Sequence, residues 1–529
     1  MTLLSSIDQA KQFMEVGRDI PTLLKSWVQR TPDKPFLIWE PFSGVSKTWT
    51  YKEFSDAVTS LATSLSKRGV KTGDAVLIHM ENSPEFMLSW FGCALLGAVA
   101  VSTNTRSVAR DMTYFADHAE VVCAVTQPQF AELIAESAPK ILFLAVTDND
   151  SGEPAKTPDG INHIPFSALL TETEPYPKRE VAPMADLGIQ FTSGTTSRPK
   201  AVLWTHANAI WGAHMNAMHF SLRHTDTTLI VLPLFHTNAQ SYSMLASLWV
   251  GGTIVLQPKF SASRFWEVSV RNQCTWVSLI PFCIKALTRQ TIPDSHAYHL
   301  WVTAVQLDAV EKTFGVRTLG LWGMTETITQ GIVTDRHHPS PNMSIGRASP
   351  GYDIAVRDEK GELILPGERG RLYIRGTRGV SLFKEYYKNE AATSDSFDED
   401  GWFDTGDLVR MGDDGELYFS DRDKDMLKVG AENVAASEVE AVIMETGLVG
   451  ECAVVGQKHF MLDEVPVVFV IPRKSDIEDI ENKIIAACQQ NLPDFKVVRS
   501  VFVVDELPRS TLEKIAKKEL RERLEKITE

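Results

Sequence analysis

Short, wholly apolar segments recur through the first half of the chain, each followed by a stretch with helical periodicity, and few folds accept that alternation. Ala75–His79 and Ala98–Val101 read as strands, with a helix over Pro84–Leu96 between them that turns through Gly97. Ahead of them Tyr51, Phe54, Val58, Leu61 and Leu65 fall at helical spacing, and Gly69 is placed to end that helix. The pattern returns as a strand at Thr228–Leu232, a helix around Tyr242–Leu248, a strand at Thr253–Leu256 and a helix over Phe265–Asn272. Strands apolar on both faces must be covered on both faces, so these segments predict parallel sheets flanked by helices. The expected class is α/β.

From about residue 340 the character changes. GELILPGERGRLYIRG and GWFDTGDLVRMGDDGELYFSDR are short strands separated by Gly-Asp and Gly-Glu turns, the pattern of antiparallel β structure. Beyond Asp423 the chain reads as a smaller α+β unit. It has a helix at Ser437–Met444, strands at Ala453–Val455 and Val467–Ile471, and a charged helix from Ile515. The expected organisation is a large N-terminal domain, residues 1–423, of parallel βαβ subdomains with a small β-rich subdomain from about 340. A small α+β C-terminal domain, residues 424–529, follows.

Composition narrows the function classes. Hydrophobic residues at 43% and charged residues at 23% exclude disorder, collagen and coiled coil. The net charge of −15 argues against a nucleic-acid partner, although a few local cations suffice for small anions. Cys93, Cys123, Cys274, Cys283, Cys452 and Cys488 show neither CxxC pairing nor metal-ligand spacing, which suits free thiols in a reducing compartment. The N-terminal segment has no basic region followed by a long apolar one, and the apolar run Phe86–Val101 is too short to span a membrane. A cytoplasmic location is expected.

The most informative segment is Thr192-Ser193-Gly194-Thr195-Thr196-Ser197-Arg198-Pro199-Lys200, between apolar strands at Gly188–Phe191 and Ala201–Trp204. Small hydroxyl residues around a glycine, ending in lysine, can wrap a polyphosphate with N–H and O–H donors. The spacing is not that of a Walker A loop, and in isolation the segment also reads as a solvated turn. Its companions are Leu321-Trp322-Gly323-Met324-Thr325-Glu326, Gly401-Trp402-Phe403-Asp404-Thr405-Gly406-Asp407, Asp421-Arg422 and Lys514. Together and in this order they resemble the motifs of the adenylate-forming superfamily of acyl-CoA synthetases, peptide synthetase adenylation domains and firefly luciferase. FTSGTTSRPK, the Ser261, Arg264, Phe265, Trp266 stretch and GMTETI are most similar to crotonobetaine/carnitine-type CoA ligases.

The resemblance implies an AMP-forming acyl-CoA ligase: a carboxylate attacks the α-phosphate of ATP, and a thiol then takes the acyl group from acyl-AMP. ATP, Mg²⁺ and CoA are the implied cofactors. A carboxylic acid is the implied substrate, and a homodimer is compatible. By resemblance Thr192, Ser193, Gly194, Thr195, Thr196 and Lys200 hold phosphates, and Trp322, Gly323, Met324, Thr325, Asp407 and Arg422 bind the nucleotide. Glu326 with Thr192 takes the metal. Lys514, Thr325, Glu326 and His236 are the implied catalytic set, with Lys514 bridging carboxylate and α-phosphate. Lys424 is the implied hinge of a rotating C-terminal domain, and His236, Lys428, Gly430 and Ala431 line the implied thiol tunnel. Read alone, Glu326 also suits an exposed loop carboxylate, Asp407 a hairpin turn, Arg422 a surface ion pair, His236 a packed core residue, and Lys514 one cation beside Lys517 and Lys518.

Trp211, Met215, Asn238, Gln240, Gln306 and Trp322, with His214 and Met324 nearby, are the expected acyl-pocket lining, suited to a medium-chain, aromatic or polycyclic acid. Asn238 offers neither a carboxylate nor an aromatic cage, which argues against a quaternary ammonium substrate. Ser197, Ala201 and Ala431 replace common glycines of the family pattern, Glu513 precedes Lys514 where a glycine is usual, and Val302–Gln306 lacks the adenine-pocket glycine-alanine motif. A stand-alone adenylation enzyme loading a carrier-protein thiol, and a non-catalytic adenylate-binding homologue, are the competing functions.

Overall fold

A computed structural model describes residues 18–528 except 175, 177–179, 193–198, 423–425, 431, 475–477 and 509–514. Two compact units are present. The first comprises residues up to Asp421, and the second runs from Arg422 and includes the short stretches Arg106–Asp111 and Thr192–Lys200.

Two sheets dominate the first unit. Seven strands run in spatial order Arg317–Leu319, Leu300–Val302, Trp276–Ser278, Thr227–Ile230, Thr253–Leu256, Pro35–Trp39 and Lys47–Thr50. Neighbours are parallel except for the final pair. The second sheet has eight strands, with Glu385–Tyr386, Lys200–Thr205, Asp186–Thr192, Val99–Ser102, Ala75–His79, Val121–Thr126, Leu144–Val146 and Ile164–Pro165 in order. Its strands from Asp186–Thr192 onward are parallel, and Glu385–Tyr386 joins Lys200–Thr205 antiparallel. The alternation read from sequence is therefore realised as two helix-covered, mainly parallel sheets, each with an antiparallel edge strand.

Local signals explain the helices. Tyr51–Lys67 starts on a capping box in which Thr50 and Glu53 satisfy each other's backbone N–H groups. Pro84–Leu96 starts with Ser83 as cap and Pro84 in the first turn, and ends at Gly97 with φ +83°. Their apolar faces meet Phe36, Ile78, Leu229 and Val255 in one core shared by both sheets. One expected element differs. The helix around Tyr242–Leu248 is a π-helical stretch, Asn238–Leu245, followed by an α-helical turn at Ala246–Val250. Such wide turns occur mostly as short insertions at functional sites, and the apolar spacing does not reveal them.

The β-rich region is antiparallel as expected: Asp353–Arg357, Arg369–Arg375 and Phe403–Met411 pair in that order. In the second unit the strands read as Ala453–Val455 and Val467–Ile471 are the centres of a long hairpin, Val449–His459 with Asp463–Pro472. Val454, Val468 and Val470 face a core with Val439, Ile443, Ile484 and Cys488. Ala453, Val455, Val467 and Phe469 face Leu520 and Leu524 on the other side. Period-two alternation thus buries both faces of the sheet.

Within this unit Lys496 Nζ lies 2.6 Å from Glu438, and both side chains are buried. Lys496→Met strands that carboxylate and should cost about 3–5 kcal/mol in urea unfolding of the full chain. Adding Glu438→Leu should restore most of the loss.

Candidate active site

Several motifs sit just beyond the C-terminal ends of parallel strands. Thr192 ends the strand Asp186–Thr192, the Leu232–Gln240 segment follows Thr227–Ile230, and Leu321–Thr325 follows Arg317–Leu319. In open α/β sheets that edge is where ligands bind.

Thr325 opens a short 3₁₀ turn, Thr325–Thr327, and its surroundings fix it from several sides. Its carbonyl accepts the indole N–H of Trp204 at 2.9 Å, and its hydroxyl lies 3.1 Å from that of Thr237. Thr237 Oγ1 donates to Gln190 Oε1 at 2.7 Å, Gln190 Nε2 donates to Gln240 Oε1 at 2.9 Å, and Gln240 Nε2 donates to the Leu234 carbonyl at 3.1 Å. Gln190, Thr237 and Gln240 are buried. This chain of hydrogen bonds joins the strand leading to Thr192, the loop bearing His236, and Thr325.

Glu326 is only 3% exposed, which excludes the exposed-loop reading. Its carboxylate accepts the Tyr386 hydroxyl at 2.9 Å and its carbonyl accepts the Phe383 N–H at 2.8 Å. Burial, with the Glu326 charge beside it, holds the Tyr386 phenol well above its ordinary value, so it stays a donor.

Asp407 is 4% exposed and lies inside the strand Phe403–Met411 rather than at a hairpin turn. The register against Arg369–Arg375 slips here, with Tyr373 opposite Asp404 and Arg371 opposite Leu408. Thr405, Gly406 and Asp407 form the resulting bulge. Thr405 Oγ1 ties it to the Leu372 carbonyl at 2.7 Å, and Gly406 takes φ +73°. Bulges of this kind re-aim a side chain. The Asp407 carboxylate accepts the Trp322 indole N–H at 2.8 Å. The next residue, Gly323, has no room for a side chain, since an added Cβ would sit 2.5 Å from Tyr242 Oη and 2.8 Å from the Thr329 carbonyl.

His236 is half-buried, its ring 4.7 Å from that of Phe235. Met324 and Asn238 are half-buried as well. Lys200 opens the strand Lys200–Thr205, and Arg422 closes the strand Leu417–Arg422. In the second unit the Lys428 N–H donates to Glu464 at 2.9 Å, and Gly430, at φ +64°, donates to the Leu462 carbonyl at 2.7 Å. Ser193, Gly194, Thr195, Thr196, Lys424, Ala431 and Lys514 lie outside the described residues.

Three residues expected to line the pocket pack against or bond to other side chains. Trp211 and Met215 pack with Ala207 and Val380, and the Trp211 indole donates to Tyr352 Oη at 3.2 Å. Gln306 Nε2 donates to Glu311 at 2.9 Å. The helix His206–His219 is buried nearly all round, so its pattern does not disclose which face meets a ligand. Trp204, Gln190, Thr237 and Tyr386 were not legible as site residues. They belong to strands and a loop whose apolar neighbours mark them only as core.

The family model of AMP-binding enzymes matches residues 24–387, and that of their C-terminal domain matches residues 438–514. The chain belongs to the AMP-binding enzyme family. The crotonobetaine/carnitine–CoA ligase of Salmonella paratyphi C is 32% identical over 92% of this chain and 96% of its own length. The o-succinylbenzoate CoA synthetase of Bacillus subtilis, a double mutant with its product analogue, has a TM-score of 0.81 at 25% identity, covering 96% of this chain and 99% of that one. The same synthetase solved with ATP and a magnesium ion gives a TM-score of 0.67 at 25% identity, covering 95% and 99%. The superfamily read from the motifs is thus the family of the whole chain. No helix among the described residues of this AMP-binding enzyme is long and apolar enough to cross a membrane.

Glu326 and Asp407 each accept a hydrogen bond from an aromatic side chain. Trp322→Phe and Tyr386→Phe should each lower stability by about 1–3 kcal/mol, read as a shift of the urea unfolding curve, because each leaves a buried carboxylate one hydrogen bond short.

Proposed function

We propose that this AMP-binding enzyme is an acid–CoA ligase that works through an acyl-adenylate. The observation that carries the reading is the burial of two carboxylates, Glu326 beside the hydrogen-bonded Thr325 and Asp407 on the indole of Trp322, in a chain 32% identical to a CoA ligase over 92% of its length.

Asp407, aimed inward by its bulge and steadied by Trp322, is the acceptor for the vicinal hydroxyls of the ribose. Thr325 and Glu326 face the phosphates. Among the described residues no group of three or more His, Cys, Asp or Glu forms a metal cage. That fits Mg²⁺, which is usually held by one or two carboxylates and by substrate phosphates. Glu326 is the hard oxygen ligand for it, with Thr192 beside the phosphate loop. Bound there, Mg²⁺ offsets phosphate charge. Lys200 and the hydroxyl loop supply the remaining donors, and Lys514 meets the carboxylate and α-phosphate as charge builds on them.

In the first step a carboxylate oxygen bonds to the α-phosphorus and the bond to pyrophosphate breaks. In the second the CoA thiol loses its proton, its sulfur bonds to the acyl carbon, and AMP leaves. Lys428, Gly430 and Ala431 serve the thiol step after rotation about Lys424, and His236 stands between the two reactants. The acid substrate and the thiol acceptor are otherwise open to direct assay.

The reading predicts acid-dependent exchange of pyrophosphate into ATP, and thioester with AMP once CoA is added. Exchange without thioester from CoA, but with thioester on a holo-carrier protein, would move the enzyme to the carrier-loading class. Glu326→Gln should raise the Mg²⁺ requirement, and Asp407→Ala the ATP requirement. Lys514→Ala should slow acyl-AMP formation about 10²–10³-fold yet leave thioester formation from preformed acyl-AMP intact. Equal loss of both half-reactions would contradict the rotation.

A further inference from the structure

Directly after the turn Thr325–Thr327 the backbone takes a costly conformation. Ile328 stands at φ +65° and ψ −44°, and the Thr329 N–H closes back onto the Thr327 carbonyl at 2.6 Å. This is a γ-turn of the rare, strained hand, and a branched Cβ makes a positive φ costlier still. Strain of this kind persists only where the surroundings enforce it, and it gathers at functional sites.

Packing and two hydrogen bonds enforce it here. The Ile328 side chain is fully buried in the cluster that holds Trp204, Trp322 and Tyr352. Gly212, where a Cβ would stand 3.0 Å from Ile328 Cγ2, leaves room for it. Tyr352 Oη donates to the Thr327 carbonyl at 2.6 Å and accepts the Trp211 N–H at 3.2 Å. On the far side Thr329 Oγ1 donates to Asn216 Oδ1 at 2.5 Å, and Asn216 Nδ2 donates to the Ser241 carbonyl at 3.1 Å. Each end of the turn is thus clasped, by Tyr352 before Ile328 and by Asn216 after it. The Thr327 hydroxyl accepts the Met324 N–H at 3.0 Å and lies 2.9 Å from the Thr329 carbonyl. Met324 and Thr327 flank Thr325 and Glu326, so any movement of the turn is passed to that pair.

We infer that Tyr352, Asn216 and Thr329 are positioning residues for acyl-adenylate formation: they hold the strained turn at Ile328 closed, and the closed turn sets Thr325 and Glu326 where phosphate and metal meet them. Strain gives the clasps their leverage. An unstrained loop that loses one hydrogen bond has no reason to move, whereas residue 328, once released, relaxes toward negative φ and swings the chain on both sides. The inference rests on the acid–CoA ligase reading, which gives Thr325 and Glu326 their work. It also gives Trp211, expected in the acyl pocket, a place behind Tyr352.

The test is acid-dependent pyrophosphate exchange over a range of Mg²⁺ concentrations. The acid used is whichever of the straight-chain acids from acetate to decanoate, or benzoate, gives the fastest wild-type exchange. Tyr352→Phe and Thr329→Val should each lower kcat about 10- to 100-fold, as a misplacement of about an ångström does. Both should raise the Mg²⁺ needed for half-maximal rate, with little change in the KM for the acid. Thr329→Ser, which keeps the hydroxyl, should stay close to wild type. Near-UV circular dichroism and urea unfolding show which variants are folded in the assay, and if Tyr352→Phe is not, the Thr329 variants decide. A purely structural role would shift the unfolding midpoint and leave kcat and the Mg²⁺ requirement of the folded enzyme alone. That result in either folded variant, or Thr329→Ser as slow as Thr329→Val, overturns the inference while the ligase reading stands. Exchange with no acid, by wild-type protein shown to bind ATP, overturns both.

Discussion

Burying a carboxylate is the constraint on which the rest of this site depends. Glu326 and Asp407 are almost wholly removed from solvent, and in such surroundings an ionised carboxylate persists only with directed donors. Tyr386 and Trp322 supply them from different parts of the first unit, the edge strand Glu385–Tyr386 and the short strand Leu321–Trp322. Both acids are thereby oriented before any ligand arrives. The amide chain from Leu234 through Gln240 and Gln190 to Thr237 does the same for Thr325. On the proposed reading, a polyphosphate entering the site meets groups already in place, and little reorganisation is left to oppose the reaction.

Much of the fold was legible because its signals are local. Runs such as Ala75–His79 and Thr253–Leu256 are buried along their whole length, as their composition implies. Ser83-Pro84 and Gly97 bracket a helix as caps do. The turn dipeptides after residue 340 gave the antiparallel sheet. What escaped depends on contacts distant in sequence. The π-helical widening at Asn238–Leu245 leaves no periodicity of its own, and the hairpin Val449–Pro472 runs past its apolar centre into polar residues such as Gln457, Lys458 and Glu464.

The site followed the same division. Glu326 and Asp407 were legible through their motifs, although the residues alone left an exposed carboxylate and a hairpin turn equally open. Burial removes both of those options. Trp211, Met215 and Gln306, expected to line the pocket, sit on an all-round buried helix and in a loop that give no directional signal, and the partners of Trp211 and Gln306, Tyr352 and Glu311, become visible only in three dimensions. Ala201, which stands where the family usually has glycine, is buried in the strand Lys200–Thr205 and pairs through its carbonyl with the Tyr387 N–H, so a methyl group is accommodated there. Gln306, within the segment lacking the adenine-pocket motif, is held by Glu311 and by main-chain bonds to Met343 and Ser344.

On the proposed reading, the groups of this site direct a carboxylate onto the α-phosphorus of ATP. The most direct measurement follows an oxygen atom. An acid substrate labelled with heavy oxygen in its carboxylate is turned over with ATP and CoA, and the AMP released is weighed by mass spectrometry. Attack at the α-phosphorus predicts one labelled oxygen in AMP and none in pyrophosphate. Unlabelled AMP, or label in an ADP or phosphate product, would contradict the account.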